Sequence, residues 1–543
     1  MRRGIATILT LGLLSGFLLA IILGLMIALG TVSLGVAVLA VVLINALVLF
    51  VGPWFNDLLY RWLYGLEWIS LDELRERSPA SAAAIGDVTE EYGYETPKLG
   101  YIDDRNPNAF TYGSGRYNAR IVLTEGCFEF LDDEETASVV AHELGHITSR
   151  DFIIMTVAHT IVQLLYLIAV HAWRYGAAGG SSKSRAASAL YVVGALAYLF
   201  WFVGEYAVLY LSRVREYAAD RFGAEYTHPD ALSGALVKIA YGIVMSEDNP
   251  ELSKATRNIG IMNVRASKND GMMYHNAQES GDPDLLLRSF LFDLKNPWAK
   301  LLELTSTHPL TGKRVRTLSE MEGASRFDFD DILRRFPVDR GRMYRGFARD
   351  VAVLSLPTLV AVGYPLGYIA FAIAGGSFSV SLLVGGWLVA VGGAIIFRTR
   401  YKFPGGDPEE TTVLELLADP YASPVRGRRA RLSGELIGRG QAGYRFSPDL
   451  MFKDETGLMY LKYESWLPFL GNLLFSVRNV PELIGERVDI EGWYLRGRSP
   501  WAGMRRLHAA DDTIKSYINY SGLIGGGLLV AVGLGIVVLF YPI

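Results

Sequence analysis

The chain has 543 residues, 51% of them hydrophobic and only 20% charged, with a formal net charge of -4. At roughly 100–200 residues per domain the length calls for more than one domain, and a soluble protein of this size usually carries more charge, which directs attention to membrane spans. The small net charge says nothing of nucleic acid. The one cysteine, Cys127, excludes an internal disulfide framework and suits a domain on the reducing side of a membrane.

From the N-terminus, the apolar stretches 5–29 and 34–51 are each near the ~20 residues that a bilayer core requires. The first is too long for the core of a signal peptide, and the second follows after a few residues. Residues 1–55 therefore read as a transmembrane hairpin anchor rather than a cleaved leader. The soluble segment 56–150 follows. Within it, 98–103, 108–113 and 119–124 read as a small antiparallel β-meander. Then Leu131-Asp132-Asp133-Glu134-Glu135 places carboxylates where a helix dipole favours them, and Ala137, Val140, Ala141, Leu144 and Ile147 recur at helical spacing.

That helix carries His142-Glu143-Leu144-Gly145-His146, an H-E-x-x-H pattern. Residues i and i+4 share a helix face, so both imidazoles point at one ion. Glu143 sits about a third of a turn away and can reach a water on that ion. Zinc lowers the pKa of such a water toward ~7, and the carboxylate takes its proton as it attacks a peptide carbonyl. The expected cofactor is one Zn2+ per chain. A catalytic zinc keeps three protein ligands and one open position, so a third ligand must come from elsewhere.

Two further apolar stretches, 152–172 and 187–211, make a second membrane hairpin across 151–211. Beyond it runs Ser212-Arg213-Val214-Arg215-Glu216-Tyr217-Ala218-Ala219-Asp220. Glu216 and Asp220 are four apart and share a helix face. Taken alone, the segment reads better as a solvated ion-pair face. Topology changes that: two crossings separate it from His146, so both motifs emerge on the same side, each within about two turns of the membrane at roughly 1.5 Å per residue. Spans 152–172 and 187–211 can then continue the two metal-bearing helices. Glu216 is the expected third ligand. Asp220 is expected to accept a hydrogen bond from a liganding histidine and fix its tautomer, with Arg213 as a second supporting residue. Inside this hairpin His159 and Glu205 fall at similar depth and are expected to approach each other.

The rest of the chain reads as a soluble segment 212–350, a third hairpin across 351–400 built from 351–374 and 380–397, a domain across 401–520, and a last span, 522–541, within 521–543. The domain has five runs of strand character, 425–436, 450–453, 457–463, 487–495 and 504–508, with a hairpin turn at Asp454-Glu455-Thr456-Gly457. They suggest an OB-like β-barrel. Its clustered Arg426, Arg428, Arg429 and Arg431 follow a span and are expected at anionic lipid head groups rather than on nucleic acid. The whole is expected to be a membrane protein with an α-helical bundle of about seven spans.

Orientation follows the Lys and Arg bias. Arg2 and Arg3 precede the first span, and Arg398, Arg400 and Lys402 follow the sixth. Arg174, Lys183 and Arg185 dissent. The balance places the catalytic and barrel domains in the cytoplasm of a multi-pass cell-membrane protein.

A hydrophobic hairpin, HELGH, a second hairpin and then SRVREYAAD resemble the integral-membrane gluzincin peptidases, the group of HtpX and the CAAX prenyl proteases. Asn108-Ala109-Phe110-Thr111-Tyr112-Gly113 resembles the family's short strand beside the catalytic cleft, and Ser306-Thr307-His308-Pro309-Leu310 with Lys313 and Arg314 its downstream segment. The match covers roughly residues 1–320; everything after about Arg340 departs from it. The resemblance implies that 56–150 and 212–350 form one α-helical peptidase domain. It implies zinc-dependent cleavage of membrane or misfolded proteins at the cytoplasmic face; the chain itself is a further expected substrate. It also implies that His308 stabilises the oxyanion of the tetrahedral intermediate; an equally good reading is a helix-start residue packing on Pro309. Asn108, Ala109 and Phe110 would bind an extended substrate backbone at a sheet edge, unless that edge is simply covered. The alternatives are processing of lipidated C-termini, as by the CAAX prenyl proteases, and a catalytically silent scaffold with a barrel for partners.

Overall fold

The computed structural model describes residues 34–178, 185–245, 284–439, 447–497, 500–509 and 512–540. The chain divides into two compact units, residues 1–271 with 301–329, and residues 272–300 with 330–543. The segment 212–350 is thus shared: its parts 272–300 and 330–350 belong with the C-terminal unit. Between Glu216 and His308 the chain leaves the first unit and returns to it.

Among the described residues six helices are long and apolar enough to cross a membrane. They run Gly35–Tyr64, Asp151–Ala177, Ser188–Tyr226, Arg340–Ile373, Val380–Lys402 and Tyr520–Phe540. The expected first span, 5–29, lies outside the described residues.

The H-E-x-x-H segment lies on the helix Asp133–Thr148, hereafter the motif helix. Asp132 caps it. Its Oδ1 accepts from the Glu135 backbone N–H at 2.9 Å, and Glu135 Oε2 accepts from the Asp132 N–H at 3.1 Å. This reciprocal pair satisfies two of the orphan donors of the first turn. At the other end Arg116 donates to the Thr148 carbonyl. Arg150 then takes a left-handed backbone, φ 57°, and the chain turns into a separate helix, Asp151–Ala178. The expected continuation of the motif helix into the membrane is therefore broken at Ser149 and Arg150. The other expectation holds: Arg185–Tyr226 is one helix of 42 residues. At ~1.5 Å per residue it is about 63 Å long, roughly twice a bilayer core, and Glu216 lies on its C-terminal part beyond the apolar stretch 187–211.

The strands β1 (Glu67–Ile69), β2 (Lys98–Ile102), β3 (Ala109–Gly113) and β4 (Ala119–Thr124) form a sheet in the order β1-β2-β4-β3. The antiparallel meander is corrected here: β2 and β4 are parallel, and only β3–β4 is a hairpin. The connection 103–108 is the reason. It crosses the end of β4 instead of turning tightly, held where Gly126 N donates to Asp104 O at 2.9 Å and Thr124 Oγ1 donates to Asn106 O at 2.7 Å. That crossing carries β3 past β4 to the sheet edge. There Tyr112 Oη donates to Asp57 Oδ1 at 2.8 Å, and Tyr60 packs edge-on against Phe110 and Tyr112. The helix that contains the second apolar stretch, Leu34–Tyr64, is thereby tied to β3.

In the C-terminal unit β6 (Arg428–Arg439), β7 (Leu450–Asp454), β8 (Gly457–Lys462), β9 (Arg487–Arg496) and β10 (Pro500–His508) close on one another. Short β5 (Glu409–Glu410) and β11 (Thr513–Lys515) extend this sheet beside β6 and β10. Around the barrel the order is β6-β7-β8-β10-β9 and back to β6, with β8 and β10 parallel. A helix, Leu470–Leu483, connects β8 to β9 and went unread in the sequence. The interior is filled by Leu432, Leu436, Phe452, Met459, Ile490 and Met504, all at most 2% exposed.

The expected basic patch is not free. Arg428 pairs with Glu409 at 3.0 Å and Arg431 with Glu491 at 2.6 Å. The spans Val380–Lys402 and Tyr520–Phe540 pack through facing glycines: a Cβ at Gly392 would lie 2.6 Å from Gly526 O, and one at Gly385 2.7 Å from Gly533 O. Small residues permit this backbone contact in a membrane, where packing rather than water expulsion drives association.

Candidate metal centre

Two helices build the centre. Gly145 on the motif helix and Gly223 on the Glu216 helix sit where the two cross. A Cβ at Gly223 would stand 3.0 Å from the His142 backbone N, and one at Gly145 would stand 3.2 Å from Ala219 Cα. This close approach brings Glu216 to the histidines. Gly223→Ala is therefore expected to destabilise the protein by about 1–3 kcal/mol, as overpacking does, despite Ala's better helix propensity. Zinc affinity should fall with it, as isothermal titration of the chelated protein would read.

His142, His146 and Glu216 each offer one ligand atom, all within 4.8 Å of one another. His142 Nε2 is 3.8 Å from Glu216 Oε2, and His146 Nε2 is 3.7 Å from Glu216 Oε1. These separations are too long for hydrogen bonds. They are near the roughly 3.3 Å that separates ligand atoms on a tetrahedral ion with bonds of ~2.0–2.1 Å. His142 Nε2 is buried with no hydrogen-bond partner, an expensive condition for a polar atom unless it ligates. Two imidazoles and a carboxylate are a common donor set for catalytic zinc, so the residues fit the metal.

The opposite ring nitrogens are fixed. His142 Nδ1 lies 3.0 Å from Asp220 Oδ1, and His146 Nδ1 lies 2.6 Å from Asp151 Oδ2. Arg314, 1% exposed, grips Asp220 in bidentate fashion, Nε to Oδ2 at 2.8 Å and Nη2 to Oδ1 at 2.5 Å. Arg215 Nη2 lies 2.5 Å from Asp151 Oδ2. Asp151 and Arg314 are site residues that spacing along the sequence does not single out. The usable signal was chemical: a carboxylate beside each histidine is the usual way to orient a ligand.

Burial pushes the Glu143 carboxyl above its ordinary range, against the opposing pull of the His146 and His142 imidazoles. Burial works to lower the His146 pKa, but the Asp151 hydrogen bond and the Glu216 charge outweigh it and the net is upward. His308 Nδ1 lies 2.9 Å from Glu216 Oε2, so the downstream segment reaches the centre. Arg213 does not touch the ligands. Its Nη1 donates to the carbonyls of Glu303 at 2.9 Å and Ser306 at 2.8 Å, bracing the strand of chain that delivers His308. Asn108, Ala109 and Phe110 are buried at the start of the edge strand β3. In the membrane hairpin His159 and Glu205 do not pair. Glu205 Oε1 instead accepts from Trp201 Nε1 at 3.2 Å on its own helix, and Gln163 pairs with Asn45 at 2.7 Å.

The sequence profile of Peptidase family M48 matches residues 80–322, a stretch that contains the whole centre. A "Protease HtpX homolog" of Aquifex aeolicus (strain VF5) is 30% identical over 307 residues, covering 55% of this chain and 89% of that protein. One of Thermococcus sibiricus is 29% identical over 315 residues, covering 56% and 94%. The crystal structure of S. mikatae Ste24p aligns at 16% identity over 59% of this chain and 65% of that one, with a TM-score of 0.36. With its paired motifs on two crossing helices, six long apolar helices among the described residues, the profile match and the HtpX homologues, the chain belongs to peptidase family M48, among the HtpX-like membrane metallopeptidases.

Proposed function

We propose that the protein is a zinc-dependent endopeptidase of the cytoplasmic membrane face that cleaves membrane or misfolded proteins. The observation that carries this is the convergence of His142 Nε2 and His146 Nε2 on the Glu216 carboxylate, at 3.8 and 3.7 Å, with both opposite ring nitrogens held by carboxylates. A bound zinc ion supplies Lewis acidity, making water nucleophilic near neutral pH. Glu143 takes the proton from the attacking water and passes it to the leaving amine. Asp220 and Asp151 keep the two imidazoles in the tautomer that presents Nε2 as a donor. His308, beside Glu216, donates a hydrogen bond to the oxygen on which charge develops.

The substrate backbone adds to β3 at Asn108, Ala109 and Phe110, which favours extended or unfolded segments over a particular sequence. Support comes from the position of β3 at the end of its sheet. Cytoplasmic placement is supported by Arg2, Arg3, Arg398, Arg400 and Lys402 flanking the spans. The barrel is OB-like, a reading supported by its closed five-strand order and by the helix between its third and fourth strands.

The test is cleavage of casein, and of the protein itself, by wild type and Glu143→Ala purified in detergent, with zinc chelated and then restored. Cleavage that needs both zinc and Glu143 is the expected result. A zinc-loaded wild type that cleaves nothing would leave a silent scaffold as the better reading.

A further inference from the structure

The helix Leu470–Leu483 and the corner before it present an apolar surface that the barrel does not use. Phe475, Ser476, Val480 and Leu483 face the barrel and are buried. On the other side Leu470, Leu474 and Val477 are 55%, 51% and 52% exposed, at i, i+4 and i+7. The corner adds Trp466 and Leu467, each 59% exposed, and Phe469 at 87%. Six large apolar side chains in one patch are more than scattered surface hydrophobicity explains.

The corner is rigid, and it is anchored to the start of a membrane span. Ser465 N donates to Asn472 Oδ1 at 2.7 Å, Ser465 Oγ to Leu467 O at 2.6 Å, and Gly471 N to Leu467 O at 2.8 Å. Glu464 N donates to Ser516 Oγ at 3.0 Å and Tyr517 N to Glu464 O at 2.7 Å. Three residues on, Tyr520 opens the last span. The Trp466 ring meets Tyr517 and Tyr520 edge-on, with centroids 5.7 and 6.1 Å away. Tryptophan and tyrosine at the end of a span mark the level of the head groups.

We propose that the face made by Trp466, Leu467, Phe469, Leu470, Leu474 and Val477 lies in the interfacial layer of the same bilayer that the chain spans. The occupant is lipid: the patch is continuous with the start of the Tyr520–Phe540 span, and Arg478, exposed next to Val477, supplies a cation for phosphate head groups. The barrel is thereby held against the membrane by an amphipathic helix in addition to its tethers, with one side fixed toward lipid.

The single cysteine makes the test direct. In a Cys127→Ser background, where serine keeps a donor for the Asn108 carbonyl that Cys127 Sγ contacts at 3.1 Å, a spin label is placed at Phe469→Cys or Leu474→Cys. The control is Glu455→Cys, at the turn that begins β8, about 20 Å along that strand from the corner. The full-length protein is reconstituted in phosphatidylcholine–phosphatidylglycerol liposomes, and relaxation by oxygen is compared with relaxation by a water-soluble nickel chelate. Labels at 469 and 474 are expected to be relaxed several-fold more by oxygen than by nickel, and the label at 455 the reverse. Nickel access at 469 and 474 equal to that at 455 overturns the proposal. So does exclusion of both reagents, which would mean that protein covers the patch. Should Leu474→Cys unfold the protein, Leu467→Cys carries the same expectation.

Discussion

Glu143→Gln is expected to lower peptidase activity by about 10²–10⁴-fold, the usual contribution of a positioned general base, while the zinc content of the purified protein stays that of wild type. The separation of the two readouts is the point. Glu143 is not among the three residues whose donor atoms converge, so removing its charge takes away a proton acceptor and leaves the ligand set intact. Glutamine keeps the shape of the side chain at a site where it is 3% exposed, so repacking should not obscure the result. The measurement is metal content by mass spectrometry beside initial rates on casein. A variant that keeps near wild-type rates would remove Glu143 from the mechanism.

Arg314→Met is expected to destabilise the protein by about 3–5 kcal/mol, the cost of leaving one partner of a buried ion pair uncompensated. Arg314 and Asp220 are each 1% exposed and share two hydrogen bonds, so no solvent replaces the lost guanidinium. Asp220 also orients His142 through the 3.0 Å contact to Nδ1. Zinc affinity should therefore fall, by the ~10–100-fold typical of lost outer-shell partners. Thermal unfolding in detergent reads the first effect and zinc titration the second. The double variant Arg314→Met, Asp220→Leu separates them: removing both charges should recover much of the stability but none of the zinc affinity. Equal recovery of both would mean that Asp220 serves stability alone.

By itself the sequence determined what depends on spacing along one element. His142, Glu143 and His146 lie on one helix, and i/i+4 geometry aims the two imidazoles at a common point wherever that helix sits. Apolar runs near bilayer length located the spans from Leu34 onward, and alternation with turn residues located the five barrel strands to within a few residues. The two apolar crossings between the motifs led to the expectation that Glu216 lies on the same side of the membrane as the histidines. The tertiary structure decided what depends on how elements meet. Gly145 and Gly223 allow the crossing that closes the distance from Glu216 to the histidines, and no single helix encodes that contact. The parallel pairing of β2 with β4 came from a loop that crosses a strand end, held by hydrogen bonds to Asp104 and Asn106 that local propensity does not report. Asp151 and Arg314 became site residues because a buried histidine or carboxylate needs a partner, and that partner is chosen by space rather than by sequence distance. Glu205 found Trp201 on its own helix rather than His159 across the hairpin: equal depth fixes height along the bundle, but rotation about each helix axis is set by packing.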